Sequence, residues 1–340
     1  MGRSKNNIPE VTNEEWSEVS IVNRKMVEEF IKENVHLAKD TLTQYTSALR
    51  IYFRWVKDNI DNKPFYDIKS KDFLKYQNYL IRMDLSSSAI KLKRSVISSF
   101  NDYIETYYDD DYPMFRNYIT KKIANIENNM VNKKEPLTLE EYRNLCDKLE
   151  KMEKWQWLAL LKCLFSSGCR RGEVIQFLKE IVDYEPNIKT IKVKNENGEE
   201  EEKTSISYLT HEVRAKGKGK TGLVRKFQLS EEAIDAVKKW LEVRGEDDCP
   251  YIFVSKNKNT NTAHQIERGT VNKWFNKMEE IVGKHFTPHS TRRSRATSMV
   301  VEQGKDISVV QKLLGHRSSS TTEIYIVRKD TDASDEAFID

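Results

Sequence analysis

The chain has 340 residues and a mass of 40.0 kDa, and since a single hydrophobic core stops growing near that size, two domains are expected. Lysine and arginine number 57 against 53 for aspartate and glutamate, so the net charge of +4 does not by itself indicate a nucleic-acid-binding protein. The mean hydropathy is −0.71, and no apolar run approaches the roughly 18 residues that cross a bilayer, which excludes a membrane-spanning helix.

The composition favours a reduced, cytoplasmic protein. The N-terminal stretch lacks the apolar segment of a secretory signal. The 4 cysteines and 6 histidines show no metal-ligand spacing, so no metal site is expected. With 12 glycines and 7 prolines, the composition favours long helices.

The N-terminal part of the chain reads as a helical bundle. Residues 1–17 are polar and expected to be mobile. Apolar residues then recur at steps of three and four, most clearly from Leu42 to Val56, which predicts four or five helices over residues 18–127.

One of these helices carries a cluster of cations. It follows the serines at 86–88 and contains Lys91, Lys93 and Arg94 near its start. Side chains of this kind within one turn can bind DNA phosphates. The alternative is an ordinary solvated helix face.

A linker and a second domain follow. Residues 128–136 are polar and end in proline, and Thr138 with Glu141 forms a capping box, so a new domain is predicted from residue 137. β-branched residues from Ile188 to Val193 precede an Asn-Gly turn, which predicts a hairpin between helices. The predicted fold is therefore mainly α with a small antiparallel β-sheet.

Three clusters could carry chemistry. The first is SGCRRGE, in which Arg170 follows a buried helix and Glu173 can orient it; the alternative is a helix cap with solvated arginines. The second is AKGKGKTG, residues 215–222, where lysines at a hairpin tip could donate a proton to a phosphodiester or form a flexible turn. The third, residues 287–326, places His289 and Arg292 on one helical face.

The order of these clusters resembles the tyrosine recombinase, or phage integrase, family. The matching motifs are SGCRRGE, a hairpin lysine, HSTRRSRAT, LLGH and a following tyrosine. HSTRRSRAT, the second arginine box after SGCRRGE, departs from the usual pattern, because Arg293-Ser-Arg295 stands where His-Thr-Phe is common. The resemblance implies the catalytic set Arg170, Lys220, His289, Arg292, His316 and Tyr325, supported by Glu173.

The resemblance also implies an architecture and a reaction. A helical core-binding domain (18–127) and a catalytic domain (137–326) would close around duplex DNA at an inverted-repeat core site. Tyr325 would form a 3′-phosphotyrosyl link without metal, ATP or cofactor. Lys216 and Lys218 are rivals of Lys220 for the role of general acid. The residues expected to contact DNA are Lys91, Lys93, Arg94, Lys216, Lys218, Arg293 and Arg295.

The expected partners are DNA and further copies of the chain, a dimer on one site and a tetramer in synapsis, with DNA-bending or excision-directing proteins as optional accessories. The tail, residues 327–340, either docks on a neighbouring protomer or is disordered. An integrase of a phage or mobile element is preferred over a chromosome-dimer resolvase, because the β-insert and the second arginine box depart from the resolvase pattern. The alternatives are a type IB topoisomerase or telomere resolvase and, from another class, a catalytically silent DNA-binding protein.

Overall fold

A computed structural model describes residues 8–120, 123, 136–194, 200–215, 223–257, 260 and 262–315. The chain divides into two compact units, with the boundary between Asn132 and Lys133. That boundary falls within the predicted linker 128–136, of which only Pro136 belongs to the described residues. The fold is mostly helical with small antiparallel sheets, so the predicted fold class is confirmed.

The N-terminal unit is built from helices. They are α1 (Asn13–Ser17), α2 (Ile21–Glu33), α3 (Lys39–Asn59), α4 (Ser70–Arg82) and α5 (Ser87–Tyr107). A short 3₁₀ helix, Phe65–Asp67, precedes α4. The Ser86 side chain accepts a hydrogen bond from the Ala89 N–H at 3.3 Å, so the serine run caps α5.

The prediction of a mobile segment is wrong for residues 8–17. Ile8 is buried in the core of the unit, and Thr12 forms a capping box with Glu15 at the start of α1. Arg54 of α3 donates to the Pro9 carbonyl at 3.0 Å and pairs with Glu15 at 3.3 Å. These contacts fix the polar segment against α3. The partners in α3 lie about 40 residues further along the chain, so the local sequence does not reveal them.

Aromatic rings form much of the core of the N-terminal unit. The Phe100 ring of α5 packs edge-on against Phe30 of α2 and Phe53 of α3, with centroids 5.5 and 5.7 Å apart. Tyr52 packs on Tyr76 of α4 at 4.8 Å. Edge-to-face pairs of this kind add stabilisation beyond their buried area, so they fix the mutual orientation of the helices.

The C-terminal unit combines helices with short strands. Its helices are α6 (Leu139–Lys151), α7 (Trp155–Ser167), α8 (Arg171–Val174), α9 (Glu231–Arg244), α10 (Arg268–Val282), α11 (Pro288–Thr297) and α12 (Ile307–Leu314). Its strands are β1 (Asn187–Lys194), β2 (Glu200–Leu209), β3 (Val213–Ala215), β4 (Leu223–Arg225), β5 (Gln228–Ser230), β6 (Val254–Lys256) and β7 (Ala263–Gln265). The predicted capping box of Thr138 and Glu141 starts α6.

The strands pair in three small antiparallel sheets, ordered β1-β2-β5, β3-β4 and β6-β7. Ile188 pairs with Ile206 in the β1–β2 hairpin, whose predicted Asn197-Gly198 turn lies outside the described residues. β3 and β4 flank residues 216–222, as predicted for the lysine hairpin. Helix α7 lies at the centre of the unit's core, where Leu160, Leu161 and Leu164 have no solvent exposure. Its buried C-terminus is therefore a rigid base for the segment that follows.

Candidate active site

The first arginine box lies in the tight connection between α7 and α8. Gly168 ends α7 in the left-handed region (φ +58°), which a residue with a side chain adopts only at a cost. Arg170 then occupies the N-cap position of α8. The buried Glu173 carboxylate accepts from the Arg170 backbone N–H at 2.6 Å and from Arg170 Nη1 at 3.1 Å. Glu173 thus orients Arg170, whose side chain is 31% exposed.

The second arginine box begins α11. Thr287 caps this helix and Pro288 is its first residue, where a missing N–H costs nothing. Arg292 is only 1% exposed. Its guanidinium donates to the Gly168 carbonyl and, at 2.7 Å, to the Leu314 carbonyl. Arg292 therefore joins the first arginine box to the end of α12, two segments far apart in the sequence.

The remaining residues of α11 face different environments. His289 is exposed, one helical turn before Arg292. Arg293 is half-buried. Arg295, a predicted DNA contact, is also half-buried, with its guanidinium carbon 5.5 Å from the centre of the Phe165 ring. Burial lowers its pKa. This placement favours a packing role for Arg295 over a phosphate contact.

Arg225 on β4 is a site residue that the sequence analysis did not single out. It donates from Nη1 to the Leu314 carbonyl at 3.0 Å and from Nη2 to the Leu313 carbonyl at 2.9 Å. Burial lowers the pKa of Arg225, while the nearby carboxylate of Glu173 opposes that shift. Arg225, Phe227 and Leu229 alternate with exposed residues. This period of two would have placed Arg225 on the inward face.

Two glycines permit the close approach of these segments. A Cβ on Gly168 would lie 2.6 Å from Leu314 Cδ2, and one on Gly315 would collide with Arg225 Nη1. Gly315 also ends α12 in the left-handed region, with φ +66°. Both positions therefore require glycine for conformation and for space.

Cys169 packs beside the arginines without being reactive. It has no solvent exposure, and burial raises the pKa of its thiol to about 12. The Ser167 hydroxyl and the nearby Arg292 and Arg225 guanidiniums oppose that shift. Because the thiolate is the nucleophilic form, Cys169 is expected to be inert.

Five predicted residues lie outside the described residues: Lys216, Lys218, Lys220, His316 and Tyr325. The segments that flank the three lysines are described, as is the residue that precedes His316. β3 ends at Ala215 and β4 begins at Leu223, on either side of the lysines. Gly315, directly before His316, ends the helix whose last carbonyls bind Arg225 and Arg292.

The N-terminal unit carries a basic groove of its own. Lys91 and Arg94 line a cavity together with Ser95, Ser98, Ile119, Thr120 and Ile123. Arg94 is held in place by donating to Gln77 Oε1 at 3.0 Å and to the Ile123 carbonyl at 3.1 Å. Lys93 is only 8% exposed and burial lowers its pKa, so its position favours packing over DNA contact.

Within the part of the chain that the structure describes, no group of three or more metal-ligating side chains comes together. Over the same residues, no helix is both long and apolar enough to cross a membrane. The four cysteines are buried free thiols.

Comparison with known proteins identifies the family of both parts of the chain. The model of the phage integrase family matches residues 135–331, and that of the phage integrase N-terminal SAM-like domain matches residues 24–110. The chain is 30% identical over 323 residues to the SPbeta prophage-derived recombinase-like protein YomM of Bacillus subtilis (strain 168), covering 93% of this chain and 90% of that protein.

Two solved structures share the fold. XerH site-specific recombinase bound to palindromic difH substrate has a TM-score of 0.65 at 19% identity, covering 96% of this chain and 86% of that one. A lambda integrase dimer bound to a COC′ core site has a TM-score of 0.60 at 18% identity, covering 91% and 78%. The chain therefore belongs to the phage integrase family and is a tyrosine-type site-specific DNA recombinase.

Proposed function

We propose that this chain cleaves and rejoins duplex DNA through a 3′-phosphotyrosyl intermediate at Tyr325. The observation that carries the proposal is that Arg292 of the second motif donates to the carbonyl of Gly168, two residues before Arg170 of the first motif, whose side chain is oriented by Glu173. Two planar guanidiniums match the nonbridging oxygens of a phosphodiester with forked donors. They would stabilise the charge that develops on those oxygens in the transition state.

The other predicted residues have complementary roles in this proposal. The Tyr325 oxygen attacks phosphorus and forms a P–O bond, while the bond from phosphorus to the 5′ oxygen breaks. His289 accepts the tyrosine proton, because a phenol with an ordinary pKa near 10 must lose it during attack. Lys220 protonates the departing 5′ oxygen, and His316 donates a hydrogen bond to the phosphate. The bond energy is kept in the intermediate, so rejoining needs no ATP.

Duplex DNA is the proposed substrate, bound by both units. Lys91 and Arg94 support this proposal because they line a groove with hydroxyl side chains, and Arg293 adjoins the catalytic arginine. Lys216 and Lys218 are the remaining residues proposed to contact DNA. Because Lys93 and Arg295 are packed against protein, they are left out of this set.

The proposed biological role is integration and excision of a phage or other mobile element, in the cytoplasm. The prophage-derived relative supports this role over chromosome-dimer resolution. A dimer on one core site follows the arrangement in the lambda integrase structure, and a tetramer would join two sites. Sequencing the DNA that flanks the gene tests the role: an attachment site would support it, and a site near the replication terminus would favour dimer resolution.

The chemistry is tested with a nicked suicide DNA substrate that traps the covalent intermediate. The wild-type chain should form a protein–DNA adduct, and Tyr325→Phe should form none. Tyr107→Phe is the matched control, because Tyr107 is a 72% exposed tyrosine of the N-terminal unit. If the wild-type chain formed no adduct, the remaining interpretation would be a catalytically silent DNA-binding protein. Plasmid relaxation without recombination between two sites would instead favour a topoisomerase.

A further inference from the structure

The last carbonyls of α12 are held by two arginines from different elements. Leu313 and Leu314 are the last two residues of α12, and the last four carbonyls of an α-helix have no donor within the helix. Arg225 donates to the carbonyls of both residues, at 2.9 and 3.0 Å, and Arg292 donates to Leu314 at 2.7 Å. Cationic donors at a helix C-terminus also interact favourably with its dipole.

The position of Arg225 is itself fixed. Its guanidinium carbon lies 4.2 Å from the centre of the buried Phe227 ring, a cation–π contact. Its strand pairs with β3, where Val213 is opposite Arg225. On the other side, Gly315 leaves space that a side chain would close. The guanidinium is therefore held between the ring and the helix end.

We infer that Arg225 is a positioning residue that acts through His316. The inference rests on the proposed function, in which His316 donates a hydrogen bond to the phosphate. His316 directly follows Gly315, so the direction in which the chain leaves α12 determines where this histidine begins. By fixing Leu313 and Leu314, Arg225 sets that direction. Arg225 is not assigned any contact with the phosphate.

Replacing Arg225 with lysine tests the inference. Lysine keeps the charge, but its single ammonium does not reproduce the fork that reaches two carbonyls. Since a displacement of about 1 Å in an active site can cost 10²-fold in rate, we expect Arg225→Lys to slow adduct formation by about 10²-fold. DNA affinity should stay within about twofold, because no phosphate contact is removed. Arg214→Lys is the matched control, since Arg214 lies exposed on the paired strand β3.

A double-mutant cycle separates positioning from general destabilisation. If Arg225 acts through His316, the variant carrying both Arg225→Lys and His316→Ala should cleave no more slowly than His316→Ala alone. The inference would be overturned if the double variant lost cleavage rate by the product of the two single losses. It would also be overturned if Arg225→Lys cleaved as fast as the Arg214→Lys control. A His316→Ala variant with wild-type activity would also overturn it.

Gly315→Ala gives a second test if Arg225→Lys does not fold. Its Cβ collides with Arg225 Nη1 while the arginine itself is kept. The same loss of cleavage and the same lack of additivity with His316→Ala are expected. A wild-type chain that forms no adduct would overturn the proposed function as well. Normal wild-type cleavage with additive losses would overturn the role of Arg225 alone.

Discussion

Replacing Glu173 with glutamine tests how Arg170 is anchored. Glu173 is only 2% exposed, and its carboxylate accepts two hydrogen bonds from Arg170, at 2.6 and 3.1 Å. Glutamine keeps the shape, but it removes the charge and turns one acceptor oxygen into an NH₂ donor that faces another donor. A hydrogen bond to a charged group contributes about 1.5–3 kcal/mol, so the free energy of unfolding should fall by about 2 kcal/mol.

A second glutamate provides the control for this substitution. Glu242 also pairs with a cation three residues away, Lys239, at 3.1 Å. The side chains of that pair are 70% and 43% exposed, and exposed ion pairs contribute about 0–1 kcal/mol. Glu242→Gln should therefore leave the unfolding free energy nearly unchanged, although it alters the same chemical group at the same spacing.

Thermal unfolding and adduct formation measure the two consequences. For a unit of the size of the C-terminal one, a loss of about 2 kcal/mol in the free energy of unfolding lowers the Tm by about 4–8 °C. A loosened Arg170 should also slow adduct formation on the suicide substrate by about 10²-fold at temperatures where both proteins are folded. Equal Tm shifts for Glu173→Gln and Glu242→Gln, or unchanged cleavage by Glu173→Gln, would refute the anchoring role.

Two further predictions concern the hairpin lysines and the buried thiol. A substrate with sulfur in place of the bridging 5′ oxygen has a leaving group that needs no proton, so it should restore cleavage to Lys220→Ala but not to Arg292→Ala. If this substrate instead restored cleavage to Lys216→Ala or Lys218→Ala, the restored variant would identify that lysine as the general acid. Because burial raises the pKa of Cys169 to about 12, a thiol reagent at pH 8 should modify it only after unfolding, and rapid labelling of the native protein would contradict its burial.

Local signals predicted many of the elements. The capping box of Thr138 and Glu141 starts α6, and the serine run ending at residue 88 overlaps the start of α5. Hydrophobic spacing identified α3, whose observed bounds are Lys39–Asn59. Each of these signals lies within about one or two helical turns, so the sequence contains it without knowledge of tertiary contacts.

Contacts between distant segments were not predictable in the same way. The sequence around Arg292 is polar, yet the structure buries this arginine because its acceptors come from residues 124 and 22 positions away. Residues 8–17 read as a polar terminus, but Arg50 and Arg54 bind them to α3. Arg225 could have been found from strand alternation, whereas its carbonyl partners 88 and 89 residues away could not.

The charge balance of the site favours anion binding over stability. Glu173 pairs with Arg170 at 3.1 Å and opposes the lowering of the Arg225 pKa, while Arg292 lies almost fully buried near Cys169. Backbone carbonyls orient Arg225 and Arg292, and the lowered pKa of Arg225 reflects the cost of burying its charge. In the proposed reaction, the phosphodiester held by Arg170 and Arg292 would bring negative charge to these two guanidiniums, and a transition state with more negative charge would be stabilised further. Burying guanidiniums at a cost in free energy is therefore what the proposed reaction requires, a trade-off common where function needs a strained or charged site.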